Sequence, residues 1–101
     1  MEKWKGKVAV VTGASAGIGA AIVQELAAHG LIVVALARRP QKIEENIKDF
    51  PASYGKIHAK FCDVSNLDSI KETFEWISKE LGVVHVLVNN AGIGRFVKFF
   101  S

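Results

Sequence analysis

Unbroken apolar runs alternate with helical stripes along this chain. From Lys7 to Thr12 the run is largely β-branched and lacks the alternation of a half-buried strand, so it predicts a strand covered on both faces of a parallel sheet. Ile18, Ile22 and Leu26 then recur every fourth residue up to Gly30, which predicts an amphipathic helix over Gly17 to His29 with glycine as its stop. Leu31 to Ala37 reads as a second buried strand. Pro40 suits the first position of a new helix that places Ile43, Ile47 and Phe50 on one face, and Pro51 to Gly55 breaks it.

Lys56 to Cys62 alternates Ile57, Ala59 and Phe61, the pattern of a third, more marginal strand. Ser65 with Asp68 three residues on resembles a capping box, and Leu67, Ile70, Phe74, Ile77 and Leu81 carry a stripe to Gly82. Val83 to Val88 is a fourth strand, broken only by His85, and Asn89 to Gly94 a polar turn after it. The pattern β-α-β-α-β-α-β, with right-handed crossovers, gives a parallel sheet of strand order 3-2-1-4, the nucleotide-binding half of a doubly wound α/β fold. After it come Phe96, Val97, Phe99 and Phe100, apolar and without an evident partner, beside a strand four that would be a hydrophobic edge. The expectation is an amino-terminal fragment or truncated product, residues 1–101 forming one partial domain.

Composition narrows the class only modestly. Half of the 101 residues are hydrophobic and 23% are charged, as in a globular domain, and 13 Lys and Arg against 10 Asp and Glu are dispersed instead of clustered. Nucleic acid is therefore not expected as a partner. Cys62 is the single cysteine, so no intrachain disulfide can form, and no metal-binding spacing is present. The charged opening MEKWKGK is no signal peptide and Leu31 to Ala37 is too short to cross a bilayer, so a soluble cytoplasmic protein without membrane attachment is expected.

The chemistry centres on VAVVTGASAGIG, Val8 to Gly19: a strand, a turn at Gly13, and a helix opened by Gly17 and Gly19. Glycines there let the backbone approach a pyrophosphate, and the helix N-terminus turns its free amides toward the charge. The plainer reading is a tight strand-to-helix turn. No Lys-Ser or Lys-Thr follows the glycines, which excludes a Walker loop. Arg38 and Arg39 end strand two, where an NAD site commonly places an acid; the nearest, Glu44 and Glu45, lie inside the next helix. Guanidinium groups bind phosphate by charge-assisted, often bidentate bonds, so NADP (NADPH) is the expected cofactor, against the alternative of two solvated arginines. The Ser15 hydroxyl lies in reach of the same phosphate. His29 reads as a surface residue, His85 as a structural one, and Trp4 and Trp76 as packing residues.

Thr12-Gly13-Ala14-Ser15-Ala16-Gly17-Ile18-Gly19 resembles the TGxxxGxG motif of the short-chain dehydrogenase/reductase family, Rossmann-type enzymes, and Asn89-Asn90-Ala91-Gly92 resembles its NNAG motif, with Asp63-Val64 between them. The resemblance covers the whole chain but only the first half of the family's domain. It implies that Asp63 accepts a hydrogen bond from the adenine amino group with the Val64 backbone nearby; otherwise Asp63 leads into a helix cap. It also implies that Asn90, Ala91 and Gly92 line the cofactor beside the ribose, that Asn89 ties strands together, and that the parent interconverts an alcohol and a carbonyl compound, with room for a homo-oligomer.

The family's acid-base tyrosine has a lysine four residues on, and a serine precedes it. Here the single tyrosine, Tyr54, is followed four positions on by His58 and precedes strand three, so no catalytic residue is assigned. A non-catalytic nucleotide-binding or interaction module is the alternative. Trp4-Lys5-Gly6-Lys7-Val8-Ala9 and Ala37-Arg38-Arg39 most resemble the cytosolic branch that includes insect farnesol dehydrogenases and related carbonyl reductases.

Overall fold

The computed structural model describes residues 2–90 and 96–99. A short 3-10 turn, Glu2–Trp4, leads into β1 (Val8–Thr12), α1 (Gly17–Ala28), β2 (Ile32–Ala37), α2 (Pro40–Ile47), β3 (Ile57–Phe61), α3 (Leu67–Glu80), β4 (Val86–Asn89) and β5 (Phe96–Phe99). The sheet order is β3-β2-β1-β4-β5, and the first four strands are parallel in the expected 3-2-1-4 arrangement. The fifth strand was not foreseen. Its backbone runs antiparallel on β4, pairing Val86 with Phe99 and Asn89 with Phe96, so β4 has neighbours on both sides instead of forming the edge. Phe100 lies outside the described residues.

Every residue of β1 is buried, as its unbroken apolar run requires. Successive side chains serve opposite layers: Ala9, Val11, Val33, Ala35 and Val88 join the core under α1 and α2, while Val8, Val10, Val34 and Leu36 join the one under α3. Fourth-strand pairing starts at Val86, three residues later than the apolar run. Val83 is 63% exposed, and the His85 amide donates to the Val8 carbonyl at 2.8 Å while its Nδ1 accepts from the Val8 amide at 3.0 Å. An Nδ1 that accepts is unprotonated, so a neutral ring carries its proton on Nε2. His85 thus fastens the start of β1, the structural part expected of it.

The helical stripes differ in one instructive way. Ile18 is 50% exposed, and the α1 residues that meet the sheet are Gly19, Val23 and Ala27. Small residues allow the helix axis closest to the strands, and the larger Ile22 and Leu26 pack at the flank. At the head of α3 the cap is Asn66, not Ser65: its side chain accepts from the Ser69 amide at 3.1 Å. Leu67, first in the stripe, is 78% exposed and takes no part in the core. His58 meets Trp76 edge-on at 5.6 Å, and Lys60 Nζ sits 4.2 Å over the same ring. Burial, then the charges of Lys56 and Lys60, lower the His58 pKa.

Candidate functional site

A parallel sheet of this order places loops from several strands together at the carboxyl ends, and there the predicted residues gather. The turn after β1 is fixed on three sides. The Ala14 amide donates to the Leu36 carbonyl at 3.1 Å, Asn46 Nδ2 donates to the Ser15 carbonyl at 3.0 Å, and Asn90 Nδ2 donates to the Gly13 carbonyl at 3.2 Å. Asn46 is exposed in the last turn of α2, and nothing in the sequence pattern marks it for this role.

The two helix-opening glycines are required for different reasons. Gly17 has φ +59°, in the left-handed region, with open space where a side chain would stand. Gly19 is set by close approach: a Cβ there would lie 2.1 Å from the Gly13 carbonyl oxygen and 2.7 Å from Asn90 Nδ2. No side chain caps α1, whose N-cap is Ala16 in an extended conformation, so its first amides face the open side of the turn without a side-chain acceptor.

Thr12 knits the two loops. Its hydroxyl donates to Asn89 Oδ1 at 3.0 Å and accepts from the Asn90 amide at 2.9 Å, joining β1 to β4. Asn89 therefore ties strands. Thr12→Val keeps the shape but strands both partners, and is expected to lower unfolding stability by about 1–3 kcal/mol in urea denaturation. Asn90 Oδ1 is buried and, among the described residues, has no hydrogen-bond partner. Ala91 and Gly92 lie outside the described residues.

An open cleft of about 430 Å³ runs from Gly13 and Ser15 past Arg38 to Cys62, Val64 and Ser65. The Arg38 and Arg39 side chains are exposed at the end of β2, Arg39 also standing at the N-cap of α2. Val64 is 36% exposed at the cleft, giving it an apolar wall. Asp63 Oδ1 accepts from the Ser65 hydroxyl at 2.6 Å and amide at 3.0 Å, and Arg38 Nη2 approaches it at 3.3 Å; the sequence pattern gave no sign of the Arg38–Asp63 pair. The Ser65 bonds, and after them Arg38, hold the Asp63 carboxyl below the usual carboxylate range. Among the described residues no group bonds to Oδ2. Asp63 is thus both a turn-former and an acceptor with one oxygen to spare.

Tyr54 stands elsewhere. It precedes β3, at the amino ends of the strands, and packs against Phe50 with ring centroids 5.3 Å apart. His29 is bonded to Glu25 at 3.1 Å on the surface of α1. Among the described residues no cluster of three His, Cys, Asp or Glu could hold a metal, and no helix is long and apolar enough to cross a membrane.

The sequence model described as short chain dehydrogenase matches residues 7–101. Farnesol dehydrogenase of Aedes aegypti is 53% identical over 96 residues, which cover 94% of this chain and 39% of that protein. Dehydrogenase/reductase SDR family member 11 of Gallus gallus is 44% identical, with 94% and 38% covered. The chain therefore spans about two fifths of the length of these curated relatives. A metagenomic short-chain oxidoreductase in complex with NADP superposes with TM-score 0.82 at 42% identity, over 90% of this chain and 41% of that one. L-sorbose reductase from Gluconobacter frateurii, complexed with NADPH and L-sorbose, gives TM-score 0.81 at 32% identity, over 93% and 36%. Matched along nearly all its length in sequence and fold, the chain belongs to the short-chain dehydrogenase family.

Proposed function

We propose that this chain is the cofactor-holding part of an NADP(H)-dependent oxidoreductase that interconverts an alcohol and a carbonyl compound. The observation that carries the reading is the pair Arg38 and Arg39 at the carboxyl end of β2, beside the glycine turn and with no acidic residue at that strand end. Cations there attract a 2′-phosphate, where an acid would repel it. Relatives in complex with NADP and with NADPH support the choice.

The residues present fit such a cofactor. The amides of Gly17, Ile18 and Gly19 at the uncapped start of α1 hold the pyrophosphate. Ser15, Arg38 and Arg39 hold the 2′-phosphate, Asp63 Oδ2 accepts from the adenine amino group beside Val64, and Asn90 Oδ1, without a partner among the described residues, accepts from a ribose hydroxyl; Ala91 and Gly92, outside the described residues, are assigned to the same ribose. The chemistry supplied on binding is hydride transfer between a nicotinamide ring and a substrate carbon. This segment binds and orients; acid-base catalysis and substrate recognition are assigned to no residue of it.

Calorimetric titration of the folded protein with NADPH and NADH tests the reading. NADPH is expected to bind at least about tenfold more tightly, one charge-assisted hydrogen bond's worth. Equal affinities would remove the NADP assignment, and binding of neither would remove the nucleotide site.

A further inference from the structure

Two groups that the proposed reading sends to different parts of one ligand are, in this structure, bonded to each other. Arg38 Nη2 lies 3.3 Å from Asp63 Oδ1, across the ends of neighbouring strands β2 and β3. The guanidinium is 70% exposed and the carboxylate 30%, so the arginine is the partner with freedom to move. Asp63 is anchored: the Ser65 amide and hydroxyl share its Oδ1, and its own amide donates to Ser69 Oγ at 3.0 Å. Arg38 is the third donor on an oxygen already served twice, while Oδ2 faces no donor among the described residues. A 2′-phosphate with close to two negative charges is a stronger acceptor for a guanidinium than an oxygen shared with two other donors.

We propose that the Arg38–Asp63 pair is a latch at the adenosine end of the cleft, which a 2′-phosphate opens by drawing Arg38 from Asp63, so that Asp63 tunes discrimination between 2′-phosphorylated and unphosphorylated nucleotides. This rests on the reading of Arg38 as a phosphate-binding residue. Asp63 does so in two opposed ways. Oδ2 contributes to binding of any adenine nucleotide by accepting from its amino group, whereas Oδ1 holds back the cation that a 2′-phosphate needs. Removing the charge therefore weakens the first effect for every adenine nucleotide equally and relieves the second for phosphorylated ones alone.

The probes are adenosine 2′,5′-bisphosphate and adenosine 5′-monophosphate, which differ in the 2′-phosphate alone, and the readout is the ratio of their dissociation constants at low salt. In Asp63→Asn the amide oxygen still accepts from Ser65, and preference for the bisphosphate is expected to rise about twofold to fivefold, the range of an exposed ion pair. Asp63→Ser, whose hydroxyl can accept from the Ser65 amide, is the second variant and should shift the ratio the same way. In an Arg38→Ala background the gain from Asp63→Asn should vanish. An unchanged or lower ratio overturns the latch, as does a gain that persists without Arg38, which would be plain repulsion between carboxylate and phosphate. A wild-type ratio of one removes the NADP reading, and the latch with it; a wild-type preference left unaltered by Asp63→Asn overturns the latch alone.

Discussion

Exchanging Arg38 and Arg39 together for alanine is expected to weaken NADPH binding by about tenfold to a hundredfold while NADH changes by less than about threefold, since each charge-assisted bond to phosphate is worth about 1.5–3 kcal/mol and these are exposed. Both side chains project from the end of β2 and neither is part of a core cluster, so the double variant should fold normally. That makes the difference between the two cofactors the clean observable. Equal losses for NADPH and NADH, measured by fluorescence titration of the folded protein, would assign the arginines to general electrostatic attraction and leave the 2′-phosphate unread.

Gly19→Ala is expected to be the most damaging single-methyl change in the site. A Cβ there meets the Gly13 carbonyl oxygen at 2.1 Å, and that oxygen belongs to a turn held by the Ala14, Ser15 and Asn90 bonds. A backbone oxygen so restrained cannot rotate aside as a side chain would, so the expected loss is about 3 kcal/mol, the upper part of the overpacking range. Gly17→Ala provides the comparison. Nothing stands near its Cβ, and only the φ of +59° opposes it, a cost of about 1–2 kcal/mol. Guanidinium or urea unfolding of the two variants should rank them in that order, and the reverse order would mean that the turn yields more readily than the backbone conformation.

The α/β alternation was legible because buried parallel strands leave continuous apolar runs, and β1 and β2 match theirs closely. Helix faces were harder. In α1 large apolar residues suggested one stripe, yet the buried face is Gly19, Val23 and Ala27, because close packing favours small residues and hydrophobicity alone does not register size. β5 was missed because the apolar residues Phe96, Val97 and Phe99 do not themselves specify which strand they pair with or in which direction. Within the candidate site, the glycines, arginines and asparagines were singled out by type and position, and those described lie at the carboxyl ends of the strands. The Asn46 contact to Ser15 and the Arg38–Asp63 pair could not be, since both join residues at least 25 positions apart through side chains free to point elsewhere.

The Thr12 hydroxyl has a consequence for observation. One oxygen donates across the seam between β1 and β4 and also receives the Asn90 amide, so two hydrogen bonds share a single hydroxyl and loosening of the seam disturbs both. The exchange rate of the Asn90 amide hydrogen is thus a reporter built into the backbone: it quickens when the seam frays, and under the proposed reading it is expected to slow on addition of NADPH, without any label being introduced.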